Sequence, residues 1–161
     1  MGKQQQWGRL NNLEIVGLPE KSNESLPDII RKNALHAGVA LTSEQIEFIH
    51  RVQPRQHISG RPKPLVVKLS NRDLKDHILS GLRRKRGIQT SDIGISGSSQ
   101  KFFVNEHLTP VNKNIFNEAK KLALEKGYKF IWIRNCNIFL RRSEQQPVIS
   151  INSMKDLAKI V

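Results

Sequence analysis

The chain has 161 residues, 37% of them hydrophobic and 25% charged, which suits one ordinary domain or two small ones and argues against global disorder. Lys and Arg number 27 against 14 Asp and Glu, a net charge of +13 that favours a polyanionic partner. A single cysteine, Cys136, excludes an internal disulfide and a cysteine-built zinc cluster, and no stretch approaches the roughly 18 apolar residues of a membrane span.

The positive charge is concentrated. Residues 1–47 carry 5 basic and 6 acidic side chains, residues 48–86 carry 11 and 2, and residues 87–161 carry 11 and 6. The opening "MGKQQQWGRL" has no apolar middle region and so no signal peptide, and an intracellular protein is expected, in a cytoplasmic ribonucleoprotein, the nucleus or both. Residues 1–12 are polar and aperiodic and read as a flexible tail.

"NLEIVGLPE" predicts a buried strand from Leu13 to Leu18, stopped by Pro19. "SLPDIIRKNALHAG" predicts a helix with Ser25 as cap, Pro27 in the first turn and Gly38 at the exit; Leu26, Ile29, Ile30 and Leu35 lie near one face. "QIEFIHRV" predicts a strand with Ile46, Phe48, His50 and Val52 on one side and Glu47, Ile49 and Arg51 on the other. Residues 53–63 have no period and carry Arg55, His57, Arg61 and Lys63. They read either as a basic arm that grips phosphates or as a solvated connection. Arg51 and Lys68 extend that basic zone.

"PLVVKLS" predicts the third strand. "NRDLKDHILSGLRRKRG" predicts a helix capped by Asn71, with Leu74, Ile78 and Leu82 on one stripe. It ends in Arg83, Arg84, Lys85 and Arg86, which suit the negative helix end. The run reads as a phosphate clamp, a nuclear-import signal or a solvated terminus. "IQTSDIGISGSSQ" reads as an irregular connector and "KFFVNEH" as a fourth strand. The order strand–helix–strand–strand–helix–strand predicts an α+β, ferredoxin-like βαββαβ domain over residues 13–107, the arrangement of RNA-recognition-motif domains.

A small α+β C-terminal domain is expected over residues 108–161. Its helix has Thr109 as cap, Pro110 at the first position and Gly127 at the end, with Ile115, Phe116, Ala119, Leu122 and Ala123 as apolar stripe. Lys129 to Arg142, "KFIWIRNCNIFLRR", predicts a hairpin, followed by a short strand "PVISI" and a short helix capped by Ser153. Phe130, Trp132 and Arg134 share one face of the first hairpin strand, and Ile131 and Ile133 the other. With both faces largely apolar, Trp132 is expected in a core rather than stacked on a base. Arg134, Arg141 and Arg142 lie beyond the apolar centre and suit phosphate, with Lys113, Lys120 and Lys121 extending the surface from the helix. The five histidines have no metal-like spacing, and no phosphate loop, nucleophile elbow or carboxylate cluster is present. Neither catalysis nor a metal or other cofactor is expected.

"NNLEIVGLPE", "VNEHLTPVNKNIFNEAKKLA" and "GYKFIWIRNCNIFLRR" with "VISINSMKDLAKI" resemble, in that order, first-open-reading-frame proteins of LINE-type retrotransposons. The C-terminal third especially resembles the baculovirus few-polyhedra protein and its insect transposon-encoded relatives. The resemblance covers residues 12–160. It implies an RNA-recognition-motif-like domain and a C-terminal domain that together bind and chaperone single-stranded RNA, and also DNA, in a ribonucleoprotein. It also implies self-association through an upstream coiled coil that this chain, without heptads before residue 13, lacks. A strand of nucleic acid would lie in the cleft between the two domains. The alternative is a structural or assembly module acting through protein contacts in a virus-like or few-polyhedra-like particle. The chain departs from the family in two places. Strands "LEIVGL" and "PLVVKLS" lack aromatics for base stacking, leaving Phe102 or Phe103 to offer one ring. The hairpin turn has Asn135-Cys136-Asn137 where relatives have Asn-Gly. A positive φ at Cys136 would cost about 1 kcal/mol, or the turn is longer with an asparagine in that conformation.

Overall fold

The computed structural model describes residues 6–54 and 58–161, so Arg55 and His57 of the basic loop lie outside the described residues. The chain divides into two units, Asn11–His107 and residues 6–10 with Leu108–Val161.

In the larger unit, alternating apolar residues build an antiparallel sheet. Its strands are β1 (Asn12–Val16), β2 (Ile46–Arg51), β3 (Leu65–Leu69), β4 (Ile88–Gln89) and β5 (Lys101–Glu106), in the order β2-β3-β1-β5-β4. Leu13, Ile15, Leu65, Val67, Leu69 and Phe102 point to one face and form the core with Ile30, Ala34, Ile78 and Leu82. Those last four come from helices α1 (Leu26–His36) and α2 (Arg72–Arg84). The result is a mixed α/β unit with an antiparallel sheet. The segment expected to be an irregular connector instead supplies β4 and a 3₁₀ turn, Thr90–Ile93, because Ile88 and Ile93 find places in the core.

Three features fix this unit. An added Cβ on Gly81 would lie 2.0 Å from the Ala37 carbonyl oxygen, so α2 passes the end of α1 at a distance only glycine permits. Lys75, fully buried on α2, meets Glu106 of β5 at 2.5 Å. Burial of that ion pair strengthens its attraction but makes loss of either partner costly. Asn71 caps α2 as expected, its Oδ1 accepting from Leu74 N at 2.9 Å. Ser25 occupies the cap position of α1 without a side-chain bond.

Two expected faces change. A register shift between Ile46 and Phe48 turns Ile46 towards the core with Ile49, leaving Phe48 and His50 on the open face. A strict period of two could not foresee this, because a bulge shifts parity without a sequence signature of its own. Leu35 is exposed, while Asn33 is buried with its Nδ2 donating to Ile29 O.

The smaller unit is built on α3 (Pro110–Glu125) and an antiparallel sheet of β6 (Phe130–Arg134), β7 (Asn137–Arg141) and β8 (Ile149–Ile151), closed by a 3₁₀ helix, Met154–Lys159. Thr109 caps α3, its Oγ1 accepting from Asn112 N at 3.2 Å. Residues 6–10 correct the expected tail. Gln6 is buried, and its Oε1 accepts from Thr109 N at 3.0 Å and Asn112 Nδ2 at 2.7 Å. Arg9 donates to the Leu108 carbonyl. Polar composition suggested a free segment, but the open N–H groups of a helix start are what a glutamine oxygen can satisfy.

Candidate nucleic-acid interface

The three-stranded sheet has two unlike faces. The register pairs Ile131 with Leu140 and Ile133 with Ile138, and these aliphatics pack on Ile115, Ala119 and Ala123 of α3. The same register pairs Phe130 with Arg141, Trp132 with Phe139 and Arg134 with Asn137 on the opposite side. Trp132 is therefore not a core residue, correcting the expectation. It stacks on Phe139 with ring centroids 5.8 Å apart and planes at 25°. Phe130, diagonal to Phe139, is 39% exposed. The signal was available: about a two-residue turn, every aliphatic in "FIWIRNCNIFLR" has one parity and every ring the other.

That turn is Asn135-Cys136. Both residues have positive φ, 51° and 63°, so the tight turn forms with Cys136 in the glycine-favouring conformation and the longer alternative does not. Two positive-φ centres match the right-handed strand twist, and this holds the cross-strand pairs in register.

The hairpin arginines separate. Arg141 donates Nε to Gln146 O at 3.0 Å and an Nη to Glu144 O, holding the loop between β7 and β8. Arg142 lies 4.8 Å from the Tyr128 ring centre and donates to Val161 O. Arg134 is exposed without a protein partner among the described residues, at the end of the ring row. The helix lysines do not extend this face. Because α3 covers the Ile138 side of the sheet, Lys113, Lys120 and Lys121 are exposed on the other side of the unit from the rings. Lys120 sits over Phe116 at 4.6 Å, and Lys121 pairs with Glu118 at 3.4 Å.

In the larger unit, Arg83, Arg84, Lys85 and Arg86 are all exposed. The chain turns there with φ of 60° at Arg86 and 105° at Gly87, so the reversal begins at Arg86 and is completed by the glycine. Arg61 is exposed and Lys63 half-buried; Arg55 lies outside the described residues. Arg51 leaves the candidate surface. Its Nε and Nη2 each reach Glu24 at 2.9 Å, and its Nη atoms also donate to the carbonyls of Leu18, Pro19 and Lys63. That fork ties the loop after β1 to the end of the basic loop. It also holds the Glu24 carboxyl below its ordinary value, against the opposing effect of burial. Lys68 is half-exposed and paired with Glu47 at 3.5 Å.

The open face of the five-stranded sheet carries Glu14, Val66, Lys68, Phe48, His50 and Phe103. Phe103, not Phe102, is the exposed ring, at 59%. No group of three or more His, Cys, Asp or Glu among the described residues could hold a metal ion, and no helix there is long and apolar enough to cross a membrane.

Residues 109–161, which include the ring-bearing hairpin, match the family model described as Baculovirus FP protein domain 2. No curated protein matches the chain.

Proposed function

We propose that this chain binds single-stranded nucleic acid, RNA and also DNA, chiefly through backbone phosphates, as a chaperone module of a retrotransposon-type ribonucleoprotein. The observation that carries this reading is the run Arg83–Arg86, consecutive cations all exposed at the C-terminal end of α2 within residues 48–86, the most basic stretch of the chain. Arg61 and Arg134 add exposed guanidinium groups, which suit bidentate phosphate contact. The larger unit is read as ferredoxin-like and RNA-recognition-motif-like. The strand order β2-β3-β1-β5 with α1 and α2 on one face supports that reading.

A second reading, an assembly module acting through protein contacts, is favoured by the match of residues 109–161 to a baculovirus FP protein domain and by the exposed Val111 and Leu124 of α3. Fluorescence anisotropy separates the two. With labelled single-stranded RNA and DNA and duplex DNA of about 30 nucleotides, longer than one OB-fold-sized site, single strands should bind tighter than duplex. Neutralising about six phosphates should give a log–log salt slope near −4. Changing Arg83, Arg84 and Lys85 to alanine should flatten that slope by about 2. No salt-dependent binding to any oligonucleotide would transfer the argument to the assembly reading.

A further inference from the structure

We infer that the outer face of the β6–β7 hairpin is a base-stacking platform, so that the smaller unit reads bases while the exposed cations hold phosphates. The inference rests on the nucleic-acid reading above and gives it a second, chemically distinct site.

Within the smaller unit, α3 and the 3₁₀ helix Met154–Lys159 pack with the aliphatic face, which supplies the buried Ile138, Leu140 and Ile151. The other face of the same strands has none of its residues in that core. It presents Phe130, Trp132 and Phe139 in adjacent cross-strand positions. Phe130 is exposed and Trp132 and Phe139 are half-buried, so part of each ring's apolar area remains in water, and a flat apolar partner would cover it. Trp132 and Phe139 are already stacked, with centroids 5.8 Å apart and planes at 25°, so a base would add to the stack rather than insert between them.

Charge identifies the occupant. Arg134 closes the row on the turn side with its donors unused, a strand's length from Phe130. Arg141, opposite Phe130, is held to loop carbonyls and keeps its charge at the other end. Cations at both ends of a ring row fit a chain whose backbone is anionic and whose side groups are flat. A single-stranded oligonucleotide meets that description, and a neutral apolar helix does not. Asn137, exposed beside Arg134, adds an amide able to bond a base edge.

Stacking is tolerant of base identity because every base has a π-face, so the platform should add affinity without strong sequence preference. It needs bases, whereas phosphate contacts do not. The test compares a single-stranded DNA with an abasic sugar-phosphate oligomer of equal length at one moderate salt concentration. The full chain should bind the base-bearing strand on the order of tenfold tighter. Trp132→Ala should remove most of that ratio while leaving affinity for the abasic oligomer within about twofold. Trp132→Leu, which keeps an apolar side chain in the strand but has no π-face, should behave like Trp132→Ala. This guards against a variant that merely fails to fold. In a Trp7→Phe background, Trp132 emission should be quenched by the base-bearing strand and not by the abasic one. If both oligomers bind equally in the unaltered protein, or if the ratio survives Trp132→Leu, the platform is overturned and phosphate binding stands. If neither oligomer binds, the nucleic-acid reading falls and the platform with it.

Discussion

The two sheets face solvent in opposite ways. On the five-stranded sheet, the central strands offer Glu14 and Val66, both buried, and the rings Phe48 and Phe103 sit on β2 and β5. Three strand spacings, about 14 Å, separate those two strands, so Phe48 and Phe103 cannot form one surface. On the three-stranded sheet, Trp132 and Phe139 are direct cross-strand partners and Arg134 ends their row. Both faces contain aromatics and cations. On the larger sheet register sets Phe48 against Lys68, with His50 5.2 Å from Phe48, whereas in the smaller unit it sets two large rings, Trp132 and Phe139, directly against each other, so composition of a face says less than its pairing.

The contrast depends on each scaffold being held, and the sharpest way to break it is to disturb the larger one. Gly81→Ala places a Cβ where the Ala37 carbonyl stands. It should cost upwards of about 3 kcal/mol in urea unfolding, since backbone cannot yield as a side-chain end can. An unchanged midpoint would mean the helices do not approach so closely. Lys75→Met should cost about 3–5 kcal/mol by removing the ammonium that meets the buried Glu106 carboxylate. Adding Glu106→Leu should restore most of that loss, because an apolar pair of similar volume leaves no uncompensated charge. A double variant no better than the single would show that the ion pair contributes on its own account.

The comparison of faces is sharpened by paired variants. Arg134→Ala should weaken single-stranded RNA binding about fivefold and flatten the salt slope by about 0.7, without moving the unfolding midpoint. Lys68→Ala, on the open face of the larger sheet and paired with Glu47, should change affinity less than twofold. Equal effects from the two would erase the distinction drawn between the sheets.

The last effect concerns pH. Arg51 holds the Glu24 carboxyl below its ordinary value of 4.5, so the folded state favours the ionised form. The stability this contributes is present above about pH 4.5 and is lost as pH falls through the depressed folded value. Glu24→Gln should lower stability by about 1–3 kcal/mol at neutral pH, and its urea midpoint should converge with the unaltered protein's in acid. Parallel curves down to low pH would exclude Glu24 as the titrating group.

Much of this was legible beforehand. The helices announced themselves through Asn71, Thr109 and Pro110, because caps and first-turn prolines are local rules. The hairpin about Asn135 and Cys136 was legible for the same reason. The bulge in β2, the role of Gln6 and the buried Lys75 were not. Each depends on a partner far away in sequence: β3 for Ile46, Thr109 for Gln6 and Glu106 for Lys75.

By itself the sequence determined a basic two-unit α/β chain, its element order, and the presence of rings among arginines in one hairpin. These follow from periodicity, caps and charge counts, which need no distant neighbour. Only the tertiary structure decided which cations are spent inward. Arg51 and Lys75 turn inward to carbonyls or carboxylates, while Arg83–Arg86 and Arg134 stay at the surface, with Arg141 held there to loop carbonyls. It also decided which side of the hairpin the rings take. A guanidinium or an indole carries the same letters in either place, and its role is set by what the fold brings within reach.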